Sequence, residues 1–209
     1  MRADPNGSRQ FLKTVLVVTA DLTQDTDRKA AVQKTMDRWG GIDILVNNAG
    51  MEMYGHFSAS TESDWRRIFE INLFSAVFLT LLVLPTMQAR KKGLVINMAS
   101  IGGLIAHLDN VSPYLASKHA LVGFSRGLAR DVADDGLRVL AVCPHLTRTE
   151  FFEVSPGAEE MAPVVKKYKQ FMDTPADVAR GILDQLNSDR LVVFPTQKPA
   201  MACQKQRDI

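Results

Sequence analysis

The apolar positions of this chain come in short blocks whose period switches between that of a strand and that of a helix. Val15, Leu16, Val17 and Val18 form a continuous, β-branched-rich run, as expected of a strand covered on both faces, and Asp21-Leu22-Thr23 closes it. Residues 25–39 then place Ala30, Ala31, Met36 and Trp39 at near-helical spacing, and Gly40-Gly41 ends the run. "IDILVN" (42–47) predicts a short strand. Thr61 with Asp64 predicts a capping-box start for a long helix over 62–90, through Trp65, Phe69, Leu73 and Val77. "GLVINMAS" (93–100) predicts the next strand. A second long helix is expected over 112–133, with Leu121, Phe124 and Leu128 on one face and Gly136 beyond its end. "LRVLAVCP" (137–144) and "LVVF" (191–194) are further strands. Thr174, Pro175 and Asp177 supply the cap, first-turn proline and acidic third residue of a late helix.

Strands alternating with helices predict an α/β fold, a doubly wound parallel sheet with helices on both faces. Such sheets bind ligands outside the carboxyl ends of their strands. That rule directs attention to Asn47–Gly50, Ser100 and Pro144–Thr149, each of which follows a strand. The 209 residues suit one domain spanning 1–209, and 46% hydrophobic with 23% charged residues is ordinary for a globular protein. A formal charge of +2 with scattered Lys and Arg argues against nucleic acid as a partner. The longest apolar stretch, residues 71–85, is interrupted by Asn72, Ser75 and Thr80 and falls short of the ~20 apolar residues of a membrane span. With no secretory signal in view, the expected location is the cytoplasm. Cys143 and Cys203 are too few for a disulfide framework, and no metal site is expected.

Chemistry concentrates in "YLASK". Tyr114 and Lys118 are four residues apart and share a helical face. A phenol has a reference pKa near ~10, and a neighbouring ammonium would lower it toward that of a useful base for an alcohol or carbonyl oxygen. Ser100, 14 residues upstream, offers a hydroxyl to the same oxygen. Asn72 puts an amide inside an apolar helix, where it is costly without partners; a local backbone bond is the plainer account. "NNAG" (47–50) ends a strand with two amides and a glycine, which permits close approach of a ligand to backbone.

Together these motifs resemble the short-chain dehydrogenase/reductase family. The matching features are "DLT" at 21, "NNAG" at 47, Asn72 within "EINLF", Ser100 after "VINMA", "YLASK" at 114, and Pro144 with Thr149, in the family's order from about residue 15 to 195. The resemblance implies a Rossmann-like domain and an oxidoreductase that interconverts a secondary alcohol and a ketone with NAD or NADP. Tyr114 would be the general acid/base and Ser100 the group that orients the carbonyl. Lys118 would hold the nicotinamide ribose and depress the Tyr114 pKa, and Asn72 would hold a water that links Lys118 to solvent. Asp21 and Leu22 would contact adenine, while Asn48, Ala49 and Gly50 would line the adenosine side. Thr149 would hold the nicotinamide carboxamide, and Pro144 would contact the cofactor. The family also implies a homo-oligomer through helices 62–90 and 112–133.

Two departures stand out. His145 replaces the glycine that usually follows the family's proline, and its side chain either crowds the nicotinamide or swings to solvent. His107, between Ser100 and Tyr114, is either a substrate contact or a surface residue. The larger departure is at the front, where Gly7 is the only glycine before Gly40. The family's first strand, glycine-rich phosphate turn, helix and second strand have no counterpart, so the chain reads as N-terminally truncated, lacking the first βαβ unit. In the family's strand order two strands would then be missing between Val15–Val18 and the strand at 42–47, a gap of roughly 10 Å beyond one normal spacing. Either the first run collapses onto the second, or both edges stay unpaired. Residues 150–172 form the expected substrate flap, and Phe151, Phe152, Met161 and Tyr168 with Met51 and Tyr54 favour a lipophilic small-molecule substrate. A non-catalytic remnant that serves as a dimerisation module is the competing expectation.

Overall fold

The computed structural model describes residues 15–106 and 108–205. Its elements run α1 (Asp25–Trp39), β1 (Ile44–Asn47), α2 (Glu62–Phe69), α3 (Ser75–Ala89), β2 (Gly93–Met98), α4 (Ser112–Asp131), β3 (Leu137–Val142), α5 (Ala158–Tyr168), α6 (Pro175–Asp184), β4 (Val192–Val193) and α7 (Gln197–Lys205). The strands pair in the order β1-β2-β3-β4, all parallel, so helices must carry the chain back over the faces. The expected doubly wound α/β sheet is what forms.

Each face has its own core. Val95 of β2 and Val139 of β3 turn toward Val83 and Met87 of α3 and Leu128 of α4. The alternate residues, Leu94, Ile96, Leu140 and Val142, pack with Val193 and Ile182 of α6 on the other side. This alternation is the period-two geometry of a strand buried on both faces. The caps read from the sequence are present: Thr61 Oγ1 accepts from Asp64 N at 3.2 Å while Asp64 Oδ2 accepts from Thr61 N at 2.9 Å, and Thr174 Oγ1 accepts from Asp177 N at 3.1 Å.

Two expectations need correction. Residues 15–20 form no strand, and Val15, Leu16 and Val17 are exposed. A β-branched run becomes a strand only where a partner edge meets its backbone. Among the described residues no strand pairs with the outer edge of β1. The register places Ile44 and Val46 opposite Leu94 and Ile96, hence on the α6 face. On that face Ile44 and Val46 are 49% and 52% exposed. Val15–Val18 does not collapse onto β1, and among the described residues the outer edge of β1 is unpaired.

The helix expected over 62–90 is also not uniform. A π-helical segment, Glu70–Phe74, separates α2 from α3 and brings Asn72 inward. By length and composition the run 62–89 is apolar enough to cross a membrane. In this fold it serves as a core helix, with Ile68, Ala76, Val83 and Met87 buried.

Candidate active site

A cleft of about 860 Å³ opens at the carboxyl ends of the strands, where the sheet rule places it. Asn48, Ala49 and Gly50 line it from the end of β1, Ser100 from the end of β2, and Pro144 and Thr149 from beyond β3; Tyr114 and Lys118 reach it from α4. Four separated stretches of sequence thus converge on one cavity. Phe151, Phe152 and Leu108 close the outer wall. The segment carrying them packs as a small core of its own around Phe152, Met161 and Met172. Gly157, at φ +79°, begins α5 there, and any Cβ on it would collide with the Tyr54 carbonyl.

Ser100, Tyr114 and Lys118 come together in this cleft. The Ser100 hydroxyl faces Tyr114 closely enough to favour the phenolate, and its Oγ accepts from Gly102 N at 3.0 Å, which fixes the turn after β2. Lys118 is buried, with Nζ donating to Met98 O at 2.8 Å and lying 5.8 Å from the Tyr114 ring centre. The expected effect of Lys118 on Tyr114 is not what the geometry produces. The phenol is held above its ordinary value, chiefly by burial beneath Phe151 and secondly by the charge of Glu52. Burial also pulls the Lys118 ammonium down to about 8.

Asn72 does not make the helix-bending local bond. Its Oδ1 accepts from Met51 N at 2.7 Å, and its Nδ2 donates to Met51 O and to Ser117 Oγ, both at 2.9 Å. Ser117 Oγ in turn donates to Tyr114 O at 2.8 Å. Both N–H donors of the amide are therefore spent on protein, and the side chain clamps the loop after β1 to the start of α4. Behind it, Asn47 Nδ2 donates to Asn97 Oδ1 at 2.8 Å and Asn97 Nδ2 to Ser125 Oγ at 2.9 Å, joining β1, β2 and α4. The π-helical segment puts Asn72 into this register, and no periodicity argument would have found it.

Sequence reasoning missed Glu52. It lines the cleft two residues beyond Gly50, yet it is only 2% exposed, and among the described residues its buried Oε2 has no hydrogen-bond partner. Burial pushes its carboxyl from 4.5 up to about 7. The available signal was a single acid between Met51 and Met53 immediately after a strand-end motif.

Other expected residues lie elsewhere. Asp21 and Leu22 do not line the cleft; Asp21 Oδ1 accepts from Thr23 N at 3.0 Å and Thr23 Oγ1 at 2.8 Å, which lowers its pKa. His145 lines the cleft and is half-buried, with its pKa lowered by burial, so its side chain takes neither a fully solvent-facing nor a sealed position. His107 and Gly7 lie outside the described residues. The backbone of Gly50 lies close against the buried Asn72 amide and the Lys118 ammonium: a Cβ there would stand 3.2 Å from Asn72 Oδ1 and 3.5 Å from Lys118 Nζ. No glycine-rich turn for a pyrophosphate occurs among the described residues.

A parallel sheet with a Ser, a Tyr and a Lys gathered in a cleft at its carboxyl edge is the arrangement of a dinucleotide-type α/β fold. The family profile described as short chain dehydrogenase matches residues 7–159, and the chain belongs to that family. It is 34% identical over 148 residues to an oxidoreductase of Thermotoga maritima, covering 69% of this chain and 58% of that protein. It is 30% identical over 190 residues to human 15-hydroxyprostaglandin dehydrogenase [NAD(+)], covering 84% and 68% of the two chains. Among solved structures, a short-chain dehydrogenase from Streptomyces avermitilis superposes with a TM-score of 0.82 at 29% identity, over 98% of this chain and 79% of that one. A gluconate 5-dehydrogenase from Burkholderia cenocepacia, solved with NADP and tartrate, superposes with a TM-score of 0.62 at 28% identity, over 70% and 58%. The chain thus spans somewhat over half the length of several of its relatives.

Proposed function

We propose that this chain is the catalytic part of an NAD(P)-dependent oxidoreductase that interconverts a secondary alcohol and a ketone. The observation that carries the reading is the convergence of Ser100, Tyr114 and Lys118 on one cleft from β2 and α4. Bound NAD or NADP would accept or supply the hydride. Lys118 and the bare backbone at Gly50 would hold the nicotinamide ribose, with Pro144 and Thr149 bordering the ring. Ser100 holds the substrate oxygen, and Tyr114 gives or takes the proton at that same oxygen. Asn72 positions these groups through Met51 and Ser117 rather than by touching substrate. The apolar wall at Phe151, Phe152 and Leu108 suits a lipophilic small molecule. We place the protein in the cytoplasm, as a homo-oligomer through helices 62–90 and 112–133, a reading supported by exposed Phe74, Phe78 and Leu81.

A second reading is a non-catalytic dimerisation module, for which the exposed Phe74, Phe78 and Leu81 on the helix run 62–89 would supply the apolar face. Calorimetric titration with NADH and NADPH separates the two, because micromolar binding of either sinks the module. Tyr114→Phe should then cost about 10²- to 10⁴-fold in turnover with the fold intact, and an unchanged rate refutes the assignment of Tyr114.

A further inference from the structure

The proposed chemistry uses Ser100, Tyr114 and Lys118 and leaves one group in the same cleft unaccounted for. Glu52 is held there from both sides. Asn72 clamps the main chain of Met51 through bonds of 2.7 and 2.9 Å. Ser155 Oγ accepts from Glu52 N at 3.2 Å and donates to Phe151 O at 2.7 Å, and Tyr54 N donates to Pro156 O at 3.0 Å. The backbone therefore has no freedom to swing the carboxyl out to water. Among the described residues no donor faces its buried Oε2, and no cation offsets its burial. An acid kept in such a place is costly unless something pairs with it. Its charge reaches Tyr114, so it belongs to the reacting end of the cleft. Small-molecule sites are mostly apolar, with a few placed polar groups that fix orientation, and the wall opposite is Phe151 and Leu108.

We propose that Glu52 determines specificity in this cleft by accepting a hydrogen bond from a donor that the substrate carries in addition to its reacting oxygen, a hydroxyl or an ammonium group. This rests on the reading of the cleft as an alcohol/ketone site and narrows it. The substrate is then a lipophilic molecule with a second polar point, such as a diol, a hydroxyketone or an amino alcohol. A purely hydrocarbon alcohol would leave the carboxyl unpaired and bind more weakly.

Ligand-observed NMR titrations test this on the intact chain with cyclohexanol, its 1,2-, 1,3- and 1,4-diols and the matching aminocyclohexanols. At least one diol or amino alcohol should bind about tenfold tighter than cyclohexanol. Preference for diols identifies the hydroxyl as the donor, and preference for amines the ammonium. In Glu52→Leu the preference should vanish, with the diols and amino alcohols binding no tighter than cyclohexanol. If that variant fails to fold, Glu52→Gln serves, and there the gain for an ammonium ligand should be lost. Equal affinities in the wild type, or a preference that survives the loss of the carboxylate, overturns the role of Glu52 and leaves the cleft reading standing. If no ligand binds, or if cyclohexanol binding ignores both Ser100→Ala and Tyr114→Phe, the cleft reading fails and this proposal falls with it.

Discussion

Replacing Glu52 with glutamine removes an ionisable group and keeps its shape, so the pH dependence of stability should change in a calculable way. The carboxyl titrates near 4.5 when solvated and near 7 in the folded chain, because burial opposes its charged form. Between those values the native state holds a proton that the unfolded state has released. Stability therefore falls as pH rises through this window, by about 1.4 kcal/mol per pH unit. Below 4.5 both states are protonated and there is no penalty; above 7 the penalty is complete, at roughly 3 kcal/mol. Urea unfolding of wild type and Glu52→Gln from pH 4 to pH 8 isolates this contribution, since every other titrating group is common to both. The buried amide adds an offset that does not vary with pH. The variant's relative stability should climb across the window by about 3 kcal/mol, or about 6–12 °C in Tm for a chain of this size. A flat difference curve would show that the carboxyl is solvated. A curve of opposite sign would show that it is paired with a cation.

Asn72→Ala removes three buried hydrogen bonds that hold Met51 to α4, and should cost about 2–4 kcal/mol in urea unfolding while hydrogen exchange speeds up at Met51 N–H; protection equal to wild type would refute the clamp. Ile44→Lys with Val46→Lys places charge on an exposed sheet edge, so stability should move by no more than about 0.5 kcal/mol per site while light scattering at high concentration falls. A larger loss would mean that something covers this face. Leu81→Glu should shift sedimentation toward a smaller species, whereas wild type sedimenting as a monomer would remove the oligomer reading.

Much of the fold was legible in the chain because its cues are local. The change from period two to 3.6, the cap residues Thr61 and Thr174 and the proline at 175 act within a turn or two of themselves, so they specify the same elements in almost any context. "YLASK", Ser100 and "NNAG" were legible for a related reason, since each is tied to the end or face of an element whose place in a parallel sheet follows from chain order. What tertiary structure decided was everything that depends on a distant neighbour. Val15–Val18 has the composition of a strand, but hydrogen bonding to an edge makes a strand, and among the described residues β1 meets no such partner. The π-helical segment at Glu70–Phe74 accompanies the union of Asn72 with Met51 and Ser117, residues 21 and 45 positions away. Spacing alone predicted that Lys118 would lower the Tyr114 pKa, yet burial of both groups reverses the outcome. Glu52 looks in the sequence like any solvated acid. Only the packed cleft shows it stripped of water and partners, because desolvation is a property of what surrounds a residue and not of the residue itself.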